Sequence, residues 1–188
     1  MAEVVTTNQF KSGMAIEIDG QPFTIVEFQH VKPGKGGAFV RTKVRNIANG
    51  AVLDKTYRAG EKFVRMHTRS RKMAYLYSTE DEVVLMDNET YEQVSVSRPM
   101  AKDALEWVVE NMEVELLFIN DAPFEVAAPN FVELTISQSD PGVRGDTAQG
   151  ATKPAVLETG AVVQVPLFVD EGQRVKVDTR TREYLSRA

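Results

Sequence analysis

The sequence predicts an all-β protein built from small barrels. Three observations carry that expectation. Short apolar runs recur along the whole chain, separated by glycine, proline, asparagine and aspartate. Such punctuation marks strands joined by turns. Two of the separators, Asp19-Gly20 and Asn49-Gly50, are hairpin dipeptides, because both central residues of that tight turn need φ > 0. Only one window, 100–111, shows helical periodicity.

The elements divide into three segments. In residues 1–64, strands are expected over 14–18, 23–31, 38–47 and 51–57, with turns at Asp19-Gly20 and Asn49-Gly50. This order reads as an SH3-like barrel. Within 38–47, Val40, Thr42 and Val44 share one face and Arg41, Lys43 and Arg45 the other, since side chains alternate along a strand. In residues 65–128, strand patterns at 72–78, 82–87 and 93–97 precede a helix over 100–111. Leu105, Val108, Val109 and Met112 would form its apolar face at i, i+3, i+4 and i+7. Strands at 114–119 and 124–127 follow, joined by a turn at Asp121-Ala122-Pro123. Three strands, a helix and two strands is the order of an OB barrel. Residues 129–188 hold strand patterns at 131–137, 153–158, 161–169, 173–178 and 183–186, with a long polar loop over 140–150. Loops of that length in a small barrel are usually functional. The boundary at Ala128-Pro129-Asn130 is short, so the second and third segments should be held in a fixed relation.

Composition excludes several classes. The 188 residues contain no cysteine, which removes disulfides, thiolate nucleophiles and cysteine-bound metals. No run approaches the ~20 apolar residues of a membrane span. The N-terminus lacks the basic and apolar regions of a secretory signal, so a cytoplasmic location is expected. The net charge of −5 argues at first against a nucleic-acid partner, but the charge is uneven. Residues 1–64 carry nine basic and six acidic groups. Residues 65–129 carry six basic and thirteen acidic groups, and residues 130–188 seven and eight.

The basic first segment also owns the most distinctive stretch, Lys32-Pro33-Gly34-Lys35-Gly36-Gly37. Glycines allow a tight reversal and Pro33 stiffens its entry. Lys35 is thereby presented on a slender tip, where it can enter a narrow site or meet a modifying enzyme. A nucleotide-binding loop is excluded, because that motif requires G-x-x-x-x-G-K-[ST] opening a helix, whereas a strand follows here. The stripe Arg41, Lys43 and Arg45 reads either as a solvated face or as an RNA-backbone contact. His30 and His67 lack ligand-like spacing. Asp87, Glu89 and Glu92 read as a solvated acidic turn, Arg144-Gly145-Asp146 as a coincidental adhesion tripeptide, and Trp107 as a core or domain-interface anchor. No metal, cofactor or enzymatic activity is expected.

The hairpin 32–40 (KPGKGGAFV), the stretches 139–147 (SDPGVRGDT) and 152–155 (TKPA), and the closing stretches 157–169 (LETGAVVQVPLFV) and 177–180 (VDTR) resemble the bacterial elongation factor P family. The resemblance runs end to end. It implies an SH3-like domain followed by two OB-type domains in an L shape similar to tRNA. It implies binding to the 70S ribosome and its RNA between the P and E sites, and stimulation of peptide-bond formation at consecutive prolines. Lys35 would reach the CCA end of the P-site tRNA, either bare or extended by a lysine-modifying enzyme. Gly145, Asp146 and Thr147 would approach the E-site codon of the mRNA. A monomer without a membrane partner is expected. The competing reading is an RNA-binding ribosomal or ribosome-associated structural protein, which the sequence pI near 5.2 disfavours.

Overall fold

A computed structural model describes residues 3–141 and 150–188. They form two compact units, Met1–Arg69 with Phe118–Ala122, and Ser70–Leu117 with Pro123–Ala188.

The first unit is built on six strands: β1 (Glu3–Thr6), β2 (Ala15–Ile18), β3 (Gln21–Val31), β4 (Phe39–Asn46), β5 (Val52–Arg58) and β6 (Lys62–Met66). Their order in the sheet is β1-β6-β2-β3-β4-β5. Asp19 (φ +53) and Gly20 (φ +76) make the β2–β3 turn, as the dipeptide predicts. The inward faces bury Val5, Ile16, Ile18, Phe23, Ile25, Val40 and Val44 together with Phe10. Phe28, Tyr57 and Phe63 pack on Phe10 with ring centroids 6.3, 6.5 and 5.5 Å away. Strands β1 and β6 are not anticipated from the sequence. They are short, and they pair with each other from opposite ends of the segment, Val4 opposite Val64 and Val5 opposite Phe63.

The hairpin tip Phe118–Ala122 belongs with this unit. Asn120 Oδ1 accepts from the His67 backbone N–H at 2.9 Å, and Asn120 N–H donates to His67 O at 2.8 Å. The Arg69 guanidinium lies 4.6 Å from the Phe118 ring centroid and 3.2 Å from Asp121. The turn is Asn120-Asp121, with φ +49 and +67, rather than the expected Asp121-Ala122-Pro123. Asn and Asp tolerate the left-handed region that a tight hairpin demands, whereas proline's fixed φ does not. Pro123 lies instead in a strand at the sheet edge, where a missing N–H costs no ladder bond.

The second unit carries a five-stranded sheet and a closed barrel. The sheet strands are β7 (Thr68–Ser78), β8 (Glu82–Asp87), β9 (Gln93–Ser97), β10 (Glu113–Ile119) and β11 (Ala122–Ala127), ordered β11-β10-β7-β8-β9. The expected helix over 100–111 is cut to a 3₁₀ turn, Arg98–Ala101, and one α-turn, α1 (Lys102–Leu105). Beyond it the backbone is claimed by the sheet. Asn111 N–H donates to Tyr75 O at 2.6 Å and Tyr75 N–H to Met112 O at 2.9 Å. Asn111 takes φ +70, which ends helical geometry. The apolar positions remain inward: Val108 is buried and Met112 packs on the core. Asp87, expected in a solvated turn, is only 6% exposed. It accepts from the Glu89 and Thr90 N–H groups at 2.8 and 3.0 Å and pairs with Arg71 at 3.1 Å. Those bonds to the ionised form hold its carboxyl below the usual range.

The barrel closes in the order β12 (Phe131–Ser139), β13 (Thr152–Leu157), β14 (Val162–Pro166), β16 (Glu183–Arg187), β15 (Arg174–Asp178), with β15 back against β12. Alternate residues fill it, among them Val132, Leu134, Ile136, Leu157, Val165, Val175 and Val177. Trp107, 4% exposed, joins this same core from the α1 segment, so the tryptophan anchors the middle sheet to the barrel.

Candidate functional site

The candidate site is the tip of the β3–β4 hairpin. The stem is antiparallel from Phe23↔Asn46 to Val31↔Phe39, which leaves residues 32–38 as the tip. Every residue from Lys32 to Gly37 is exposed. Gly36 stands at φ +111, the one glycine of the three in the left-handed half of backbone space. A Cβ there would meet only Pro33 Cγ, at 3.8 Å, and Gly34 and Gly37 have open space. Among the described residues none pairs with the Lys35 ammonium. The amine is free to meet an external acceptor. Val40 and Val44 in the buried core hold the stem from beneath.

The stripe on β4 lies where the alternation places it. Arg41 and Arg45 are exposed, while Thr42 and Val44 are buried. Register alters the charge, however. A bulge at Val26 shifts β3 so that Glu27 opposes Lys43. Lys43 Nζ donates to Glu27 Oε1 at 2.6 Å, and this bond raises the ammonium's pKa above its ordinary value. The free cations of the stripe are therefore Arg41 and Arg45 among the described residues. The Arg41 guanidinium rests 5.7 Å from the Phe39 ring centroid. A surface depression of about 680 Å³ runs beside Arg41, walled by Glu27, Gln29, Arg41, Lys43, Asp54 and Thr56. Glu27 is the residue that sequence reasoning misses. Its pairing depends on the bulge, for which the adjacent Ile25-Val26, a break in the strand's alternation, is the signal in the sequence.

His30 stacks edge-on against Phe28 at 5.6 Å, and His67 lies 3.1 Å from Glu3, so both pack locally. No group of three or more His, Asp or Glu residues among the described ones could hold a metal. Gly145, Asp146 and Thr147, with Arg144, lie outside the described residues. At the root of that loop, Lys153 is 6% exposed, donates to Asp140 O at 2.8 Å and lies 3.7 Å from Asp170. No described helix is long and apolar enough to cross a membrane.

Three family models match in succession. An elongation factor P KOW-like domain matches residues 6–63, an elongation factor P OB domain residues 68–126, and an elongation factor P C-terminal domain residues 132–187. Elongation factor P of Moorella thermoacetica is 50% identical over 185 residues, covering 98% of this chain and all of that protein. The chain belongs to the elongation factor P family. Elongation factor P of Natranaerobius thermophilus is 51% identical over 184 residues, covering 98% of each. A solved structure of eukaryotic translation initiation factor 5A from Methanococcus jannaschii aligns with 68% of this chain and 95% of its own, at 26% identity and a TM-score of 0.48. Membership makes the chain a translation elongation factor with the ribosome as its partner. The hairpin 32–38 lies within the KOW-like match, and the all-β architecture agrees with the family's KOW-like and OB domains.

Proposed function

We propose that this factor binds the 70S ribosome between the P and E sites and uses Lys35 to position the CCA end of the P-site tRNA. The observation that supports this reading is the Lys35 ammonium at an exposed tip, unpaired among the described residues, on a stem rooted in the buried core of the first unit. Proline is a slow donor and acceptor of the peptide because its ring restricts the geometry of attack. A factor that holds the tRNA end in a near-attack arrangement recovers rate by orientation alone, without an acid or base of its own. Consecutive prolines are the substrates that need it most.

In this reading residues 1–64 carry the tip, and Arg41 and Arg45, with Lys43 when it leaves Glu27, contact RNA backbone. A cytoplasmic lysine-modifying enzyme that extends Lys35 would lengthen the arm and add an amine. Residues 65–128 and 129–188 form the frame, and Gly145, Asp146 and Thr147 approach the E-site codon. The factor works as a monomer and has no turnover of its own. Lys35→Ala tests the assignment in reconstituted translation of a Pro-Pro-Pro message. Loss of rescue with an unchanged fold is expected, since the side chain is exposed and pairs with none of the described residues. Full rescue by the variant would refute the tip assignment. Intact-mass spectrometry of native protein decides whether Lys35 carries an extension.

A further inference from the structure

The turn between β15 and β16 holds a residue that its own backbone disfavours. Arg182 stands at φ +61, a conformation that costs an L side chain and costs glycine nothing. The turn is otherwise well bonded: Arg182 N–H donates to Asp178 O at 2.8 Å. A glycine would complete it without strain, so the geometry of the turn alone does not call for an arginine here.

That side chain leaves the barrel and engages the middle sheet's α1 segment. The guanidinium donates to both carboxylate oxygens of Glu106, at 2.8 and 2.5 Å. It also lies 5.3 Å from the Trp107 ring centroid. Trp107 is at the same time inside the barrel core, so guanidinium and indole grip the junction from both sides. The rest of the turn holds the connecting chain. Thr179 Oγ1 donates to Pro129 O at 2.7 Å, Thr179 N–H to Asn130 O at 2.9 Å, and the Arg180 guanidinium rests 5.4 Å from the Phe131 ring centroid.

We infer that Arg182 is a positioning residue, a clasp that fixes the barrel on the middle sheet. Both partners keep substantial exposure, 54% for Arg182 and 34% for Glu106, so the pair contributes little to net stability. A planar two-point bond with a stacked ring instead restricts orientation. The functional consequence rests on the ribosome-binding reading above. A frame already set at one angle loses less freedom on docking, so loosening it weakens binding and leaves the rate at saturation unchanged.

The chain lacks cysteine, which permits clean labelling. Spin labels at Tyr77→Cys on the sheet and Val162→Cys on the barrel, both exposed, report the distance between the two bodies by double electron–electron resonance. The parent should give one narrow distribution. Arg182→Gly relieves the turn and Glu106→Ala removes the acceptor, so both should fold. Both should broaden the distribution, and the double variant should be no broader than either, because they delete one interaction. An unchanged width in either single variant overturns the inference, as does further broadening in the double. In the Pro-Pro-Pro assay the factor concentration for half-maximal rescue should rise roughly 2- to 10-fold in Arg182→Gly, the scale of one more group to be ordered on binding. If the parent protein fails to rescue, the ribosome reading fails, while the distance measurement still judges the clasp.

Discussion

Gly36→Ala separates a lysine that is aimed from one that is merely exposed. Gly36 follows Lys35 directly and stands at φ +111. The added methyl would find Pro33 Cγ at 3.8 Å, an ordinary contact, so the penalty is conformational rather than steric. Forcing an L residue into such a sparsely populated region costs about 1–3 kcal/mol, which weights the tip roughly 5- to 150-fold against its present geometry. The exposed tip relaxes into another shape instead of unfolding the barrel, and the thermal transition should hardly move. The rate of Pro-Pro-Pro synthesis at subsaturating factor should fall by the same factor as the tip population. Gly34→Ala and Gly37→Ala are the controls, since neither position has positive φ or a neighbour within 4 Å of the added atom. They should retain rescue. A Gly36→Ala factor with the parental rate would refute the reasoning. Equal losses at all three positions would show that the glycines serve close approach of the target instead of backbone geometry.

Two further outcomes follow from the cores and the turns. Leu134 is fully buried in the closed barrel, so Leu134→Ala should destabilise the second unit by about 3–5 kcal/mol, measured by urea unfolding with Trp107 fluorescence as the reporter. A cost under about 1 kcal/mol would mean that the barrel collapses around the cavity. Asp178 accepts from the Arg180 backbone and guanidinium at 2.7 to 3.0 Å, and its carboxyl is lowered to about 2, chiefly by the Arg180 side chain. A depressed carboxyl contributes stability above its unfolded value near 4, and that contribution is lost as pH falls from about 4 to about 2. Asp178→Asn should flatten the fall of the melting temperature across that window. An unchanged slope would show that other carboxylates carry the acid response.

The sequence by itself determined the strand content, the hairpin dipeptide Asp19-Gly20 and the alternation along β4. These are local properties, set by φ/ψ preferences and by the two-residue period of a strand. It also made the tip visible, because glycine and proline around Lys35 have few other uses. The family resemblance, readable in the motifs, agrees with the comparisons across the whole chain. What failed locally was decided by competition for hydrogen bonds. The 100–111 periodicity is real, yet its backbone is taken by Tyr75 on β7, and the helix stops at Leu105. Strands β1 and β6 form because they meet each other, which neither short segment announces alone.

Tertiary structure alone decided three further things. The bulge at Val26 sets Glu27 against Lys43 and leaves Arg41 and Arg45 as the stripe's free cations among the described residues. Trp107 belongs to a core assembled largely from residues more than twenty positions away. Arg182 accepts an unfavourable backbone for a partner 76 residues earlier in the chain. Each depends on register or long-range contact, and neither quantity has a local signature. A one-residue slip moves every side chain to the other face, and a distant carboxylate gains meaning only when the fold brings it within hydrogen-bond reach.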